Sequence, residues 1–351
     1  MWHCRAMDEN KLPYLLITID TEGDHLWSRP REITTRNAAY LPRFQQLCER
    51  YGLRPTWLTN HEMACCAEFV EFGQDVIRRE TGEVGMHLHA WNSPPIVPLT
   101  DDDFARQPFL IEYPAKVMRD KIARLTDLLE AAFQRKMISH RAGRWGLDSQ
   151  YARMLVEAGY RVDCSVTPHV CWPEINRAAG GHRGCDYSLF PRGPYFMDLD
   201  RIDRPGDSPL LELPMTVRPV RRGALVALAA NVARRYGPRA VRRVANYLFP
   251  SAAWLRPDGR NLRPMLGLLR QVEAEHASYA QFMLHSSELM PGGSPRFPTA
   301  GHIERLYADL EQFFAAAACR FRGATLAEFG SVSIAAKFIL KHRGHGEHGG
   351  I

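Results

Sequence analysis

Apolar and polar positions along the chain switch repeatedly between two periods. Tyr14-Leu15-Leu16-Ile17-Thr18-Ile19 is a run of β-forming residues and predicts a strand. Arg36 to Tyr51 instead has Tyr40, Leu41, Phe44 and Leu47 at helical spacing, with Gly52 as the stop. Pro55 to Leu58 then predicts a strand, Phe69 to Arg79 a helix, and Glu83 to His89 another strand. Pro114 to Phe133 is amphipathic through Val117, Ile122, Leu125, Leu128 and Leu129. Met137 to Ser139 opens a strand, and Ser149 to Ala158 reads as a helix. Further strands are expected at Arg161 to Val166, Leu210 to Val217 and Tyr279 to Leu284. This alternation predicts an α/β protein with parallel strands, as a barrel or an open sheet.

The rhythm breaks between Arg218 and His276, where helix signal dominates and arginines cluster: Arg218, Arg221, Arg222, Arg234, Arg235, Arg239, Arg242 and Arg243. We read this as a helical insertion in a single domain spanning 1–330, followed by a flexible tail, 331–351. The arginines form either a solvated face over an apolar stripe, or a surface for anionic lipid headgroups or a nucleotide diphosphate. The 351 residues carry a net charge of +6, which suits an anionic partner. No basic stripe with interleaved aromatics and no zinc-finger spacing is present, so a nucleic-acid partner is not expected. No apolar run approaches the ~18 residues of a membrane span. The opening decapeptide lacks a charged and then apolar leader pattern, and the eight cysteines show no CxxC pair. Both features predict a cytoplasmic protein with reduced thiols.

Candidate chemistry gathers at the ends of the expected strands, where parallel α/β folds place their sites. Asp20, Glu22 and Asp24 follow the first strand. They are either an acidic turn or a cation site in which one carboxylate is a ligand and another a base. His87 and His89 end the third strand, and i, i+2 side chains of an extended chain share a side, so the two imidazoles converge. Trp91 follows, suited to the wall of a sugar pocket. Ser139 to Gly146 places Arg141 where it can orient a carboxylate, with glycines that permit close approach. Asp163 sits within a strand pattern, where an unpaired carboxylate is costly. His285, at the end of the last strand, is a general-acid candidate if a metal lies nearby.

The order of these motifs resembles the polysaccharide deacetylase family: carbohydrate esterase family 4, with the NodB homology domain. The nearest branch is the one called WalW-like, found in lipopolysaccharide and capsule loci. The resemblance covers about residues 12 to 330. It implies a distorted (β/α) barrel carrying the helical insertion, a divalent metal, usually zinc, and hydrolysis of an N-acetyl group from an amino sugar. On this resemblance Asp20 is the base, and Arg141 orients it. Asp163 belongs to the fourth motif, and His285 is the acid. The usual ligand position beside the base holds Thr21, and a one-residue spacing puts Glu22 in that role, with Asp24 in reserve. The second motif has its first histidine at His87. Its second histidine position holds Trp91, and His89 substitutes. Trp91 and Trp145 are expected to touch substrate. The substrate is then a nucleotide- or lipid-linked amino sugar, with peripheral membrane contact through the arginines. Two alternatives use the same barrel: hydrolysis of an N-formyl or ring amide, or a decayed site that only binds saccharide.

Overall fold

The computed structural model describes residues 12–28, 30, 32–175, 184–220 and 252–343, with isolated positions between 229 and 241. The first apolar run lies at the heart of a nine-stranded sheet. That run, β1 (Tyr14–Thr21), pairs in parallel with β10 (Tyr279–His285), β11 (Arg322–Ala324) and β2 (Thr56–Thr59). The sheet continues in parallel through β3 (Glu83–Leu88), β4 (Ser139–Ala142), β5 (Val162–Asp163) and β7 (Leu211–Glu212). It ends on β6 (Tyr195–Phe196), antiparallel to β7. The result is the curled, partly closed barrel that the alternation predicted.

The two-residue period of β1 sorts its side chains into two layers. Leu15, Ile17 and Ile19 join the large core beneath the helices. Leu16 faces the inside of the curl with Leu58, Val162, Cys164, Leu211 and Leu213. Thr18 and Asp20 share the side of Leu16, so the inner surface is apolar at one end of the barrel and polar at the C-terminal ends of the strands. Leu326 and Phe329 join the inner cluster at the apolar end. They belong to α7 (Leu326–Arg343), which runs across the expected domain limit at residue 330.

Among the described residues, the other helices of eight residues or more are α1 (Leu41–Arg50), α2 (Ala67–Arg78), α3 (Ala115–Phe133), α4 (Ser149–Glu157), α5 (Leu262–Ala274) and α6 (Ala300–Ala318). The expected helix from Arg36 begins instead as a 3₁₀ turn, Arg36–Tyr40, and turns α-helical at Leu41. Pro42 fits there because a proline is tolerated in the first helical turn. The expected strand Leu210–Val217 is divided into β7 and β8 (Val217–Pro219). Pro214 lies in the gap and has no N–H to give a ladder.

The arginine-rich region begins and ends differently from the expectation of little strand. β8 pairs antiparallel with β9 (Ala252–Trp254), and α5 follows. Arg218 is buried and paired with Glu275 at 2.8 Å, so it is not part of a solvated face. Arg221, Arg222, Arg234, Arg235, Arg239, Arg242 and Arg243 lie outside the described residues. Cys48, Cys65, Cys66, Cys164, Cys171 and Cys185 are free thiols, whereas Cys319 is disulfide-bonded. Among the described residues, no helix is long and apolar enough to cross a membrane.

Candidate metal and acid–base site

Strand register builds the site. Asp20 on β1 lies opposite His285 on β10, and His87 on β3 lies opposite Arg141 on β4. All four are at the C-terminal ends of parallel strands, and Glu22 and His89 follow just beyond two of them.

Glu22, His87 and His89 each offer a ligand atom, all within 4.8 Å of one another, and all three residues are buried. His89 Nε2 is 2.9 Å and His87 Nε2 3.7 Å from Glu22 Oε2. The two imidazoles meet edge to face with centroids 4.7 Å apart. His87 Nδ1 lies 3.0 Å from the Arg141 carbonyl oxygen. Donation there leaves the Nε2 lone pair aimed at Glu22, the outer support that metal-bound histidines use. Two imidazoles and a carboxylate are a catalytic zinc donor set, and these three residues fit a divalent cation.

Electrostatics agree with that fit. Burial opposes charge on Glu22, but His285, His87 and His89 outweigh it and hold its carboxyl well below the usual range. Burial likewise opposes charge on Asp20, and Arg141, His87 and His285 reverse the balance. Burial disfavours a proton on His87, yet Asp20 and Glu22 push its value up. The pocket thus draws in positive charge.

The loop carrying Glu22 is held by groups that the sequence reading did not single out. Ser286 Oγ accepts from the Glu22 N–H at 3.0 Å and donates to the Glu22 carbonyl at 2.9 Å. Asn37 Nδ2 donates to that carbonyl at 2.7 Å. Glu62 accepts from the Gly23 N–H at 3.0 Å and from Asn92 Nδ2 at 2.8 Å. Asp24, the expected reserve ligand, accepts from Thr34 and Arg36 at 2.6 and 3.1 Å and pins the loop instead. Thr21 points its hydroxyl back to the Ile19 carbonyl.

Asp20 is buried beside these ligands. Arg141 Nη1 donates to its Oδ1 at 2.5 Å, and Arg141 Nη2 donates to Thr18 at 2.8 Å. With the Gln281 amide oxygen turned toward it, Nη2 also donates there at 2.9 Å. The other carboxylate oxygen, Oδ2, lies 3.8 Å from His285 Nε2 and 4.0 Å from His87 Nε2. His285 Nε2 is also 3.7 Å from Glu22 Oε1. Behind the ring, Arg256 Nη2 reaches His285 Nδ1 at 3.0 Å, and Glu288 Oε2 lies 3.2 Å from the same nitrogen. Arg256 pairs with Glu288 at 3.2 Å. Although burial opposes it, Arg256 and His285 hold the Glu288 carboxyl well below its usual value.

Aromatic rings flank the centre. Trp91 lies 5.8 Å from the His89 ring and edge-on to Phe104 at 4.7 Å. Arg144 and Trp145 both adopt left-handed backbone, φ +54° and +62°, strained for non-glycine residues and frequent at functional sites. Trp145 is thereby set 4.8 Å from the Arg141 guanidinium, with Trp254 6.3 Å beyond.

Asp163, the carboxylate of the fourth motif on the resemblance, has its partners outside the cluster of Asp20, Glu22 and the histidines. Val162 and Cys164 face the inside of the curl, so alternation turns Asp163 to the helix side, away from Asp20. There Oδ1 pairs with His140 Nδ1 at 2.6 Å and accepts from Ser165 Oγ at 3.0 Å. His140 Nε2 meets Tyr151 at 2.8 Å. Glu212 lies beside Asp163 in register, and burial with the Asp163 charge pushes its carboxyl well above 4.5. A carboxyl raised on folding loses stability as pH climbs from its unfolded value toward its folded one. Glu212→Gln should therefore flatten the fall of melting temperature above about pH 4.5. An unchanged profile in thermal unfolding from pH 4 to 9 would show that Glu212 ionises freely.

No protein-family model and no curated protein sequence matches this chain. Among solved structures, a candidate polysaccharide deacetylase from Mycobacterium smegmatis is similar at 14% identity and a TM-score of 0.50, over 92% of this chain and 91% of that one. A candidate glycoside hydrolase/deacetylase from Parabacteroides distasonis is similar at 11% identity and a TM-score of 0.54, over 91% of this chain and 70% of that one. At such identities the likeness concerns architecture, and the chain has the curled parallel-sheet fold of the polysaccharide deacetylases.

Proposed function

We propose that this protein is a metal-dependent hydrolase that removes the acyl group from the nitrogen of an acylamino sugar. The substrate on this reading is a nucleotide- or lipid-linked precursor of a cell-surface polysaccharide or lipopolysaccharide, as in the WalW-like branch, and the reaction is cytoplasmic. One observation carries the reading. The barrel mouth gathers Glu22, His87 and His89 with an Arg-held Asp20 and, facing it at 3.8 Å, His285.

A divalent ion, zinc by its donor set, held by Glu22, His87 and His89 would polarise the acyl carbonyl and acidify a water. The chain's own groups handle the protons. Arg141 occupies Asp20 Oδ1 and keeps the carboxylate ionised, which leaves Oδ2 to take a proton from the attacking water. His285 gives the leaving nitrogen a proton from Nε2 as the amide C–N bond breaks, so the products are a carboxylic acid and an amine. Arg256 Nη2 and Glu288 Oε2 lie against Nδ1 at 3.0 and 3.2 Å, which keeps Nε2 turned toward the site. Glu288 fixes both Arg256 and the ring. Trp91 and Trp145 offer apolar walls for a sugar ring.

Glu288→Gln should lower kcat by part of the ~10²–10⁴-fold that a positioned acid contributes, with KM little changed. Glu288→Asp should recover some of it. Equal loss in KM and kcat, or no loss, would count against a positioning role. The reading itself is tested by incubating the protein with zinc, cobalt or no metal and measuring acetate and formate released from nucleotide- and lipid-linked acylamino sugars. Metal-dependent acetate release is expected. Formate alone would move the reading to an N-formyl amide, and saccharide binding without any release would replace it with a binding protein.

A further inference from the structure

The connection from β3 to α3 runs from residue 89 to 114, several times longer than the ~2–6 residues usual between a strand and a helix. Its first turn carries His89 and Trp91, and a later part carries Phe104, edge-on to Trp91. The side chains of that first turn do little to hold it. His89 Nδ1, Trp91 Nε1, Asn92 Oδ1 and Ser93 Oγ are buried and make no hydrogen bond among the described residues. The Ser93 N–H donates to the His89 carbonyl at 3.2 Å, and Asn92 Nδ2 donates to Glu62 at 2.8 Å.

A further fastening comes from α3. Met118, Ile122, Leu125 and Leu129 are buried there, and Lys121 shares their face at 1% exposure. A lysine is almost never so buried unless its charge is met. Its Nζ donates to the Ser93 carbonyl at 2.6 Å and to the Pro95 carbonyl at 2.7 Å. The ammonium also stands 5.3 Å from the centre of the Tyr113 ring, within cation–π range. Tyr113 donates from its hydroxyl to Asp103 at 2.9 Å, and Asp103 accepts from the Leu99 and Thr100 N–H groups at 2.9 and 2.6 Å. Lys121 thus touches both limbs of the connection, one leading to Trp91 and the other to Phe104. Burial pulls the ammonium down to about 8, against the Asp103 charge, so it is mostly protonated at neutral pH.

We propose that Lys121 is a positioning residue: through the Ser93 and Pro95 carbonyls it fixes Trp91 beside the metal centre and so sets how tightly the cleft holds its saccharide. The kinetic part of this proposal rests on the acylamino-sugar reading of the cleft, and the structural part is measured without substrate. When the ammonium is removed, both carbonyls lose their donor. A buried carbonyl without a partner is costly, so the turn opens toward water and Trp91 moves with it.

Two measurements on the full chain at pH 7 test it, in Lys121→Met, Lys121→Arg and Lys116→Met. Lys116, exposed on the same helix and paired with Asp120, is the control. Hydrogen exchange over residues 89–93, followed by mass spectrometry, should be about tenfold or more faster in Lys121→Met, the effect of one lost charge-assisted hydrogen bond. Lys121→Arg keeps the charge and several donors and should recover part of the protection. Lys116→Met should leave it unchanged. An apolar side chain in place of a buried charge is often neutral or stabilising, so the melting temperature of Lys121→Met should not fall. If that variant does not fold, Lys121→Gln takes its place with the same expectation. In acetate release from UDP-N-acetylglucosamine with zinc, KM should rise about tenfold in Lys121→Met with kcat little changed, and Lys121→Arg should recover part of the loss. Wild-type exchange over 89–93 in the Lys121 variants, equal acceleration by Lys116→Met, or a loss in kcat with KM unchanged overturns the proposal. If the wild type releases no acetate, the acyl-release reading fails on this substrate, and the exchange rates alone decide the role of Lys121.

Discussion

Replacing Asp20 with Asn lowers turnover by about 10²–10⁴-fold, the contribution of a positioned proton acceptor, while the metal content stays at the wild-type level. The substitution keeps the shape of the side chain. Its amide oxygen turns to Arg141, whose Nη1 lies 2.5 Å from Asp20 Oδ1. The amide NH₂ then occupies the Oδ2 position, 3.8 Å from His285 Nε2, where it accepts no proton. Arg141 is fully buried and loses its formal counter-charge. Breaking a buried pair in this way costs about 3–5 kcal/mol, so thermal unfolding must accompany the kinetics. His285→Gln provides an independent measure, because it removes the proton donor and leaves the buried Arg141 pair in place. Metal-dependent acyl release at the wild-type rate in folded Asp20→Asn would remove Asp20 from the mechanism.

The strand-end residues were legible because two periods were enough to place them. The apolar run Tyr14–Ile19 located β1 and put Asp20 at its end. The two-residue spacing of His87 and His89 predicted convergence, and both rings reach Glu22. The same period left the face of Asp163 open. Val162 and Cys164 on either side of it are both apolar, so the local pattern did not say which face is inside. Only pairing with β4 and β7 turns Asp163 outward, to His140 and Glu212. The supports of His285 were illegible for another reason. Arg256 meets it from 29 positions away, out of a segment that reads as basic surface. Glu288 stands three residues on, in a 3₁₀ turn that no periodicity announces. α6 was legible and unread: Ile303, Leu306, Leu310, Phe313, Phe314 and Ala317 keep helical spacing and are buried.

The second large effect concerns the metal. His87→Ala should leave the protein folded and reduce zinc affinity by more than the ~10–100-fold that loss of an outer-shell partner costs. A ligand and its support from the Arg141 carbonyl are lost together. Gly143→Ala tests the geometry without touching a ligand. A Cβ at position 143 would lie 2.5 Å from the Leu88 carbonyl oxygen and 2.8 Å from His89 Nδ1. The Leu88 carbonyl oxygen gives way only by moving the backbone that carries His89, and Nδ1 only by turning the ring, so Nε2 is displaced from Glu22. Zinc affinity should fall by about 10–100-fold, as for other losses of ligand orientation, while unfolding shifts far less than for a core cavity. Competition with a chelator of known affinity measures both variants against wild type. Wild-type protein that takes up no zinc from a saturating solution would show that Glu22, His87 and His89 are not a metal centre. Near-wild-type affinity in Gly143→Ala would show that His89 is not one of its ligands, and the donor set would then have to be completed by Asp20, whose Oδ2 is already 4.0 Å from His87 Nε2.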